Sequence, residues 1–489
     1  MLFNSHIFML LFLPLLLAGW YFLNWKKKFQ LAQGYLIGMS LWFYAYANLQ
    51  YLWLLLFSCL IGWLLSCVPE KISSEKGKKV LTGVGCVFHL GLLGYFKYSN
   101  FFLENLNTVF HTDFPMLQIL LPVGISFYTF QQLAYLIDRC QGDAPRDSFF
   151  DYLTFMVYFP QLLQGPILLR SEFMGQLKEP ERRRFHAERF SEGIQFFVFG
   201  LAKKVLLADT LAKAVNYGYS NVSMLDSISA LLLAVGYLTE LYFDFSGYCD
   251  MAVGLGKMIG LEVAENFDAP FHSASVKEFW RRWHMTLGRF FTRYVYIPLG
   301  GNRRGKMRTL CNVMIVMLLS GLWHGAAWTF VLWGFLHGVG MIWDNLEHPH
   351  LPKKWMRQAA TFAYVCMTFV FFRAESIAQG IDVLKSIVSL KWNGFVFQMA
   401  SALDMTECYI ITKALSMKLP GLLSWFWLGI FVVLIAICFR VLSGEKVSGV
   451  VALQRQKGYG RLYPVLLAVL FTWSMISMTG VSEYLYFSF

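Results

Sequence analysis

Apolar stretches of about 20 residues recur along this 489-residue chain, from about residue 6 to about residue 480. At about 1.5 Å per residue, a helix of that length crosses a hydrocarbon core of about 30 Å. Apolar residues make up 57% of the sequence and charged residues only 15%, against roughly 25% charged in soluble domains. The sequence therefore predicts an all-α, polytopic integral membrane protein and excludes a soluble enzyme with a single anchor.

Basic residues exceed acidic ones by 42 to 30, which gives a net charge of +12. They concentrate in short segments between the apolar stretches, among them 26–28, 71–79, 182–184 and 353–357. Such segments keep loops on the cytoplasmic side and contact the membrane surface. We therefore expect membrane lipids and no nucleic acid as partners of these charges. The same pattern predicts that both termini are extracytoplasmic.

The chain is expected to form a single membrane domain of about 11 spanning or re-entrant helices. Residues 1–115 hold the first spans, 116–345 hold a core that carries the polar motifs, and 346–489 hold the last spans and an aromatic tail. Spans are expected near 116–137 and 226–247, among others. No internal repeat or separate soluble domain is evident.

Two segments of the core do not fit a simple span. The apolar run 152–169 is short and contains Pro160, Gly165 and Pro166, so it is expected to be re-entrant and to border an internal cavity. A later helix near 194–216 contains Lys204, whose side chain could extend to the membrane interface.

A long uncharged run, 309–343, suits two spans and has His324 near its middle. Ionisable side chains inside a membrane are costly unless solvated or paired, so each one is a functional candidate. A neutral imidazole here could take a proton from a hydroxyl that attacks a thioester. A structural bond to a neighbouring helix carbonyl is the alternative. His337, in the same run, is expected to be structural or to line the cavity.

A second group of candidates lies at 280–284, where two arginines stand among aromatic residues. Arg281 and Arg282 suit the phosphates of a cytosolic anionic donor, because guanidinium groups form bidentate, charge-assisted bonds. Trp280, Trp283 and His284 could stack against the donor or orient it. An interfacial belt of Trp and Arg that anchors the helix explains the same pattern.

Other polar residues give weaker signals. Asp244, in the segment DFSGY, could orient the arginines or cap a helix. Nine cysteines are scattered without a C-x-x-C pair, and no H-E-x-x-H motif is present. The sequence therefore predicts no metal site and no disulfide framework.

Seven motifs taken together resemble the membrane-bound O-acyltransferase family, over about residues 5–489. The resemblance is strongest to the bacterial branch that acetylates extracytoplasmic polysaccharides such as alginate and peptidoglycan. The motifs are LPVGISFYTFQ at 121–131, FPQ at 159–161, QGPI at 164–167, DFSGY at 244–248, WRRWH at 280–284, YIPLGGNR at 296–303 and LWHG at 322–325.

The resemblance implies a helical bundle around a central tunnel, in a multi-pass protein of the bacterial inner membrane. It implies that His324 is the catalytic residue, beside Trp323 of the same motif, and that His284 supports it from the cytoplasmic side. Acetyl-CoA would be the acyl donor, without a metal. Gln164 departs from the small residue that relatives often have before Gly-Pro-Ile, which could alter the cavity.

The function implied by the resemblance is O-acetylation of an exported or cell-wall polysaccharide with acetyl from cytosolic acetyl-CoA. Because this chain has no large exposed domain to hold a polymer, we expect a periplasmic acetyltransferase partner of the SGNH type. Acylation of a lipid or a protein is an alternative within enzymes. A transporter of the acyl donor or the glycan, with histidines as proton relays, is the alternative from another class.

The aromatic tail, 483–489, is similar to the terminal Tyr-Phe-x-Phe of this branch. The similarity suggests that Tyr486 accepts the acetyl group through its phenol, with His324 as general base, and passes it to the partner. The alternative is an aromatic belt that anchors the terminus at the interface.

Overall fold

The computed structural model describes residues 1–47, 49–346, 353–442, 446–458, 460–478 and 484–485. Within these ranges the chain forms helices joined by turns and loops, and no strand occurs among them. The all-α architecture expected from the apolar stretches is confirmed.

Six helices of the described ranges are long and apolar enough to cross a membrane, judged by length and composition. They are Phe8–Trp25, Leu49–Lys71, Glu75–Phe110, Ser227–Ile259, Lys306–His324 and Pro420–Val441. Further expected spans are also helical, at Phe29–Ala47, Ile125–Gln141, Ala187–Ala202, Asp209–Ser220, Trp328–Asn345, Lys354–Arg373 and Leu462–Ser477. The chain is a multi-pass membrane protein.

Two expected helix boundaries are wrong. The helix expected from residue 116 begins at Ile125, because Gly124 has a left-handed backbone with φ of 77° and ends the preceding irregular segment. The helix expected over 226–247 continues to Ile259, so that it has 33 residues. The helix ends before Gly260, whose φ of 81° is left-handed, and Lys257 in its last turn pairs with Glu192 at 2.9 Å.

The short apolar run 152–169 is a broken helix. Its helices are Phe149–Val157 and Phe159–Leu162, and irregular backbone follows to residue 169. The run is almost entirely buried, and the Ile167 N–H donates to the Thr286 hydroxyl at 3.1 Å. Irregular backbone away from water requires such partners from the surrounding protein.

Contacts divide the described chain into two compact units. The first comprises Met1–Phe197, Cys249–Glu265 and Thr286–Leu299. The second comprises Val198–Tyr248, Asn266–Met285 and Gly300–Phe489. In the first unit, aromatic rings with centroids 5.0 to 6.3 Å apart hold the N-terminal segment against the broken helix. These rings are Phe3, Phe8, Phe12, Phe43 and Phe159.

In the second unit, Lys306–His324 and Trp328–Asn345 form a closely packed helical hairpin. A Cβ added to Gly321 would lie 2.3 Å from the Phe330 carbonyl oxygen, so this residue must be small. At the turn, Gly325 has an extended backbone with φ of −159°, and the Phe330 ring occupies the place of a Cβ. The uncharged run therefore forms two helices as expected, and it breaks directly after His324.

Replacing Gly321 by alanine should lower the melting temperature by several degrees, since overpacking a well-packed contact costs about 1–3 kcal/mol. Gly83→Ala is the matched control, because a Cβ on that helical glycine meets nothing within 4 Å. Thermal unfolding in detergent measures both. An equal melting temperature for Gly321→Ala and wild type would contradict the close approach of the hairpin helices.

Candidate active site

His324 is the last residue of its helix and is only 3% exposed. Three aromatic rings enclose its imidazole, with centroids at 4.9 Å for Trp323, 5.1 Å for Trp333 and 5.2 Å for Phe372. We call these three rings the aromatic enclosure. Because it keeps water away, electrostatic interactions at His324 are stronger than in solution.

His284 lies beside His324, with ring centroids 6.5 Å apart. It joins the short helices Val276–Arg282 and Met285–Phe291 and is fully buried. Its φ of 45° is left-handed, which is uncommon for a residue with a side chain and is found at functional sites. Asn266 fixes this turn, because its carbonyl accepts from the Met285 N–H at 2.9 Å.

The side chain of Asn266 also sets the tautomer of His284. Nδ1 of His284 lies 3.2 Å from the Asn266 amide oxygen. An amide oxygen can only accept, so Nδ1 carries the proton and Nε2 carries a lone pair. Burial lowers the pKa of His284 to about 3, so the ring is neutral near pH 7. His284 is therefore a neutral imidazole next to His324.

This shifted pKa links stability to pH. His284 titrates at about 3 in the folded protein and has an ordinary value of 6.5. Between these values the unfolded chain binds more protons, so the free energy of unfolding falls as pH drops from 6.5 toward 3. The slope from one such group reaches about 1.4 kcal/mol per pH unit. We expect His284→Gln to make the free energy of unfolding less dependent on pH in this range.

Melting temperatures of wild type and His284→Gln, recorded at several pH values between 3 and 6.5, measure this effect. The wild type should lose more stability toward low pH than the variant does. Parallel curves would contradict the buried, neutral state of His284.

His337 is structural. Trp280 Nε1 donates to its Nδ1 at 3.2 Å, and its Nε2 lies 2.9 Å from the Thr368 hydroxyl. Since an indole nitrogen only donates, Nδ1 accepts and Nε2 carries the proton. Both nitrogens are therefore engaged. This agrees with the structural role expected for His337 and not with a cavity-lining role. The same contact gives Trp280 a role in holding the hairpin.

The two neighbouring arginines have different environments. Arg282 forms an ion pair with Glu278 at 2.9 Å and donates to the Asp268 carbonyl at 3.3 Å. Arg281 is exposed and makes no hydrogen bond or ion pair with any residue that the structure describes. Arg281 is therefore available to an external anion, whereas Arg282 stabilises the protein itself.

Trp283 lies in the core of the second unit. It is 1% exposed, and its ring meets Phe267, Phe279 and Phe369 at centroid distances of 5.1, 5.3 and 5.5 Å. Its surroundings are those of a packing residue.

Asp244 pairs with Lys204 at 2.6 Å and does not contact the arginines that it was expected to orient. It lies in the middle of the helix Ser227–Ile259, so it is not a helix cap either. Lys204 does not extend to the interface, because its side chain is 2% exposed and lies between Asp244 and Asp209. The two residues form a buried ion pair.

Gln164 belongs to the first unit, is fully buried, and its amide makes no hydrogen bond to the described residues. Tyr486 lies outside the residues that the structure describes.

Sequence reasoning missed Trp333 and Phe372. Trp333 is fully buried, and its indole N–H has no hydrogen-bond partner in the described ranges. Trp333 lies nine positions after His324, on the second helix of the hairpin. Because that helix returns past the first, the hairpin geometry could have predicted that Trp333 lies near His324. Phe372 comes from the separate helix Lys354–Arg373, and no local signal connects it to His324.

The described residues contain no group of three His, Cys, Asp or Glu side chains that could hold a metal ion. The geometry is that of a multi-pass helical membrane protein with two adjacent buried histidines and an exposed arginine on the same short segment as one of them.

Comparison with known proteins supports this class. The model of the membrane-bound O-acyltransferase family matches residues 146–381. A peptidoglycan O-acetyltransferase of Helicobacter pylori is 35% identical over an alignment of 423 residues, and the match covers 80% of this chain and 80% of the relative. The probable alginate O-acetylase AlgI of Azotobacter vinelandii is 39% identical over 77% of this chain and 76% of the relative.

A more distant relative is the teichoic acid D-alanyltransferase of Streptococcus thermophilus, 28% identical over 49% of this chain and 58% of the relative. The chain belongs to the membrane-bound O-acyltransferase family and is an acyltransferase. The resemblance seen in the motifs is confirmed, and the enzyme class is favoured over the transporter class.

Proposed function

We propose that this enzyme takes acetyl from cytosolic acetyl-CoA and delivers it across the bacterial inner membrane for O-acetylation of an exported or cell-wall polysaccharide. The observation that carries the proposal is the pair of adjacent histidines at 6.5 Å within a water-excluding enclosure. Relatives named for acetylation of peptidoglycan and of alginate support acetyl as the group and a polysaccharide as the final acceptor.

His324 is the general base. It takes the proton of an acceptor hydroxyl while the hydroxyl oxygen attacks the thioester carbonyl carbon. The carbon–sulfur bond then breaks, and the protonated imidazole returns the proton to the departing thiolate. The products are an acetyl ester and CoA with a free thiol. His284, neutral and oriented by Asn266, supports the neighbouring imidazole without adding a positive charge.

Arg281 is the residue of the 280–284 segment that binds the donor. It has no partner among the described residues, so its guanidinium can pair with the phosphates of CoA without first breaking an ion pair. The segment that carries Arg281 ends at His284, which links the donor site to the histidines.

Arg281→Ala should raise the KM for acetyl-CoA about tenfold with little change in kcat, because it removes phosphate binding that the ground state and the transition state share. Arg282→Ala is the matched control and should lower the melting temperature instead, since it breaks the pair with Glu278. Initial rates of CoA release separate the two effects. An unchanged KM in Arg281→Ala would contradict the donor site.

Trp333 supplies a hydrogen-bond donor to the reaction. Its indole N–H is buried without a partner in the described ranges, and a buried donor left unpaired is unfavourable. The thioester oxygen, which becomes negative during attack, would satisfy it.

Trp333→Phe keeps an aromatic ring in the enclosure and removes the N–H. We expect kcat to fall about 100-fold with KM nearly unchanged, as for other single oxyanion donors. Trp323→Phe is the control within the same enclosure. Equal rates for Trp333→Phe and wild type would remove Trp333 from the mechanism.

Tyr486 is the first acceptor in this proposal. Its phenol takes the acetyl group from the thioester. A hydroxyl of a periplasmic partner of the SGNH type then attacks the tyrosyl ester, so that the acetyl group passes to the partner's oxygen and the Tyr486 phenol is released with a proton. Both termini would be extracytoplasmic. Direct transfer to a lipid or a protein remains the second candidate, and it requires no acetyl-enzyme.

Intact mass after incubation with acetyl-CoA tests the relay. Wild type should gain the mass of one acetyl group, whereas Tyr486→Phe should gain none. Tyr409→Phe, at an exposed position, is the control and should gain mass as the wild type does. Equal acetylation of Tyr486→Phe and wild type would contradict the relay. CoA release without mass gain would favour direct transfer.

A further inference from the structure

A buried ion cluster lies in the second unit, outside the group of histidines. The Lys204 ammonium is 2.6 Å from Asp244 Oδ1 and 2.8 Å from Asp209 Oδ1. The Lys204 and Asp244 side chains are 2% and 1% exposed. Buried ion pairs are weak stabilisers because desolvation opposes their attraction, and charged groups within membrane helices are functional candidates.

The backbone around Lys204 departs from a regular helix. Residues Lys203–Ala208 form one π-helical stretch between Ala187–Ala202 and Asp209–Ser220, a feature that is frequent at functional sites. A Cβ added to Gly247 would lie 2.7 Å from the Gly200 carbonyl oxygen. The segment DFSGY therefore approaches the Lys204 segment closely, and only a glycine permits this contact.

Tyr484 and Leu485, the two described residues of the aromatic tail, lie on this cluster. The Leu485 N–H donates to Asp244 Oδ2 at 3.1 Å. The ring of Tyr484 lies 4.6 Å from the Lys204 ammonium and meets the ring of Tyr248 edge-on at 5.1 Å. Tyr484 is fully buried. Two consecutive residues of the tail therefore contact both members of the ion pair.

The two oxygens of Asp244 have separate partners. Oδ1 accepts from Lys204, and Oδ2 accepts from the Leu485 backbone. If the tail left, Oδ2 would lose its backbone donor inside the protein, which is unfavourable for a buried carboxylate. The tail in turn places an aromatic face over the lysine, which is an attractive cation–π contact.

We propose that the Lys204–Asp244 pair is the docking site for the chain's own C-terminal peptide, and that it holds the tail next to the histidines. Phe245 follows Asp244 directly, and its ring lies 4.7 Å from the ring of His284. Tyr486 follows Leu485 directly in the sequence. The proposed positioning of the acceptor rests on the relay through Tyr486, whereas the docking contacts are independent of the relay.

Hydrogen exchange of the full chain in detergent, without acetyl-CoA, tests the docking alone. The Leu485 amide should be protected in wild type and should exchange about tenfold faster in Asp244→Asn, which removes the charged acceptor. Asp209→Asn is the matched control, because Asp209 binds Lys204 and has no contact with Leu485 among those described. In the Asp209→Asn variant, the Leu485 amide should stay protected from exchange.

A second pair of variants leaves the membrane helices untouched. Tyr484→Leu removes the aromatic face over Lys204 and should also accelerate exchange at Leu485, whereas Tyr484→Phe keeps the face and should not. Fast exchange at Leu485 in wild type, or protection unchanged in both Asp244→Asn and Tyr484→Leu, would overturn the docking site.

Acetylation separates the docking site from the relay. Leu485→Pro removes the N–H that Asp244 accepts, and Leu485→Ala keeps it. The proline variant should therefore lose the acetyl mass gain while the alanine variant retains it. If exchange shows docking but wild type gains no acetyl, the docking site stands and the relay fails. If Leu485→Pro is acetylated as wild type is, docking does not position the acceptor.

Discussion

Polar side chains that are held away from water must find their partners inside the protein, and this requirement organises the second unit. Asn266 binds His284, Trp280 and Thr368 bind His337, and Lys204 binds Asp244. Each contact joins segments that are distant in the sequence. The bonds therefore fix the relative positions of helices whose apolar faces alone would tolerate several arrangements.

The same requirement distinguishes the buried histidines from one another. Both nitrogens of His337 are engaged, so it has no free site for a proton from a substrate. His284 has Nδ1 on Asn266 and carries its lone pair on Nε2. His324 lies at a helix end, within aromatic rings, where the hairpin breaks at Gly325. The proposed mechanism therefore places the chemistry where the helix ends.

The sequence predicted the helical class, the hairpin and the family. The uncharged run with a central histidine made His324 the catalytic candidate, and that role stays a prediction. It could not tell Arg281 from Arg282, since the difference depends on Glu278 and the Asp268 carbonyl. Nor could it find the Lys204–Asp244 pair, whose members are 40 positions apart. The helix start at Ile125 was missed because Gly124 adopts a left-handed backbone.

The most direct measurement is the rate of CoA release from acetyl-CoA by purified His324→Gln and His337→Gln, each expressed per folded molecule. Both variants replace a buried histidine in the same hairpin, but only His324→Gln removes the proposed general base. We predict that His324→Gln falls by at least about 100-fold, whereas His337→Gln loses thermal stability and keeps most of its rate. Wild-type rates in His324→Gln would contradict the central role of His324.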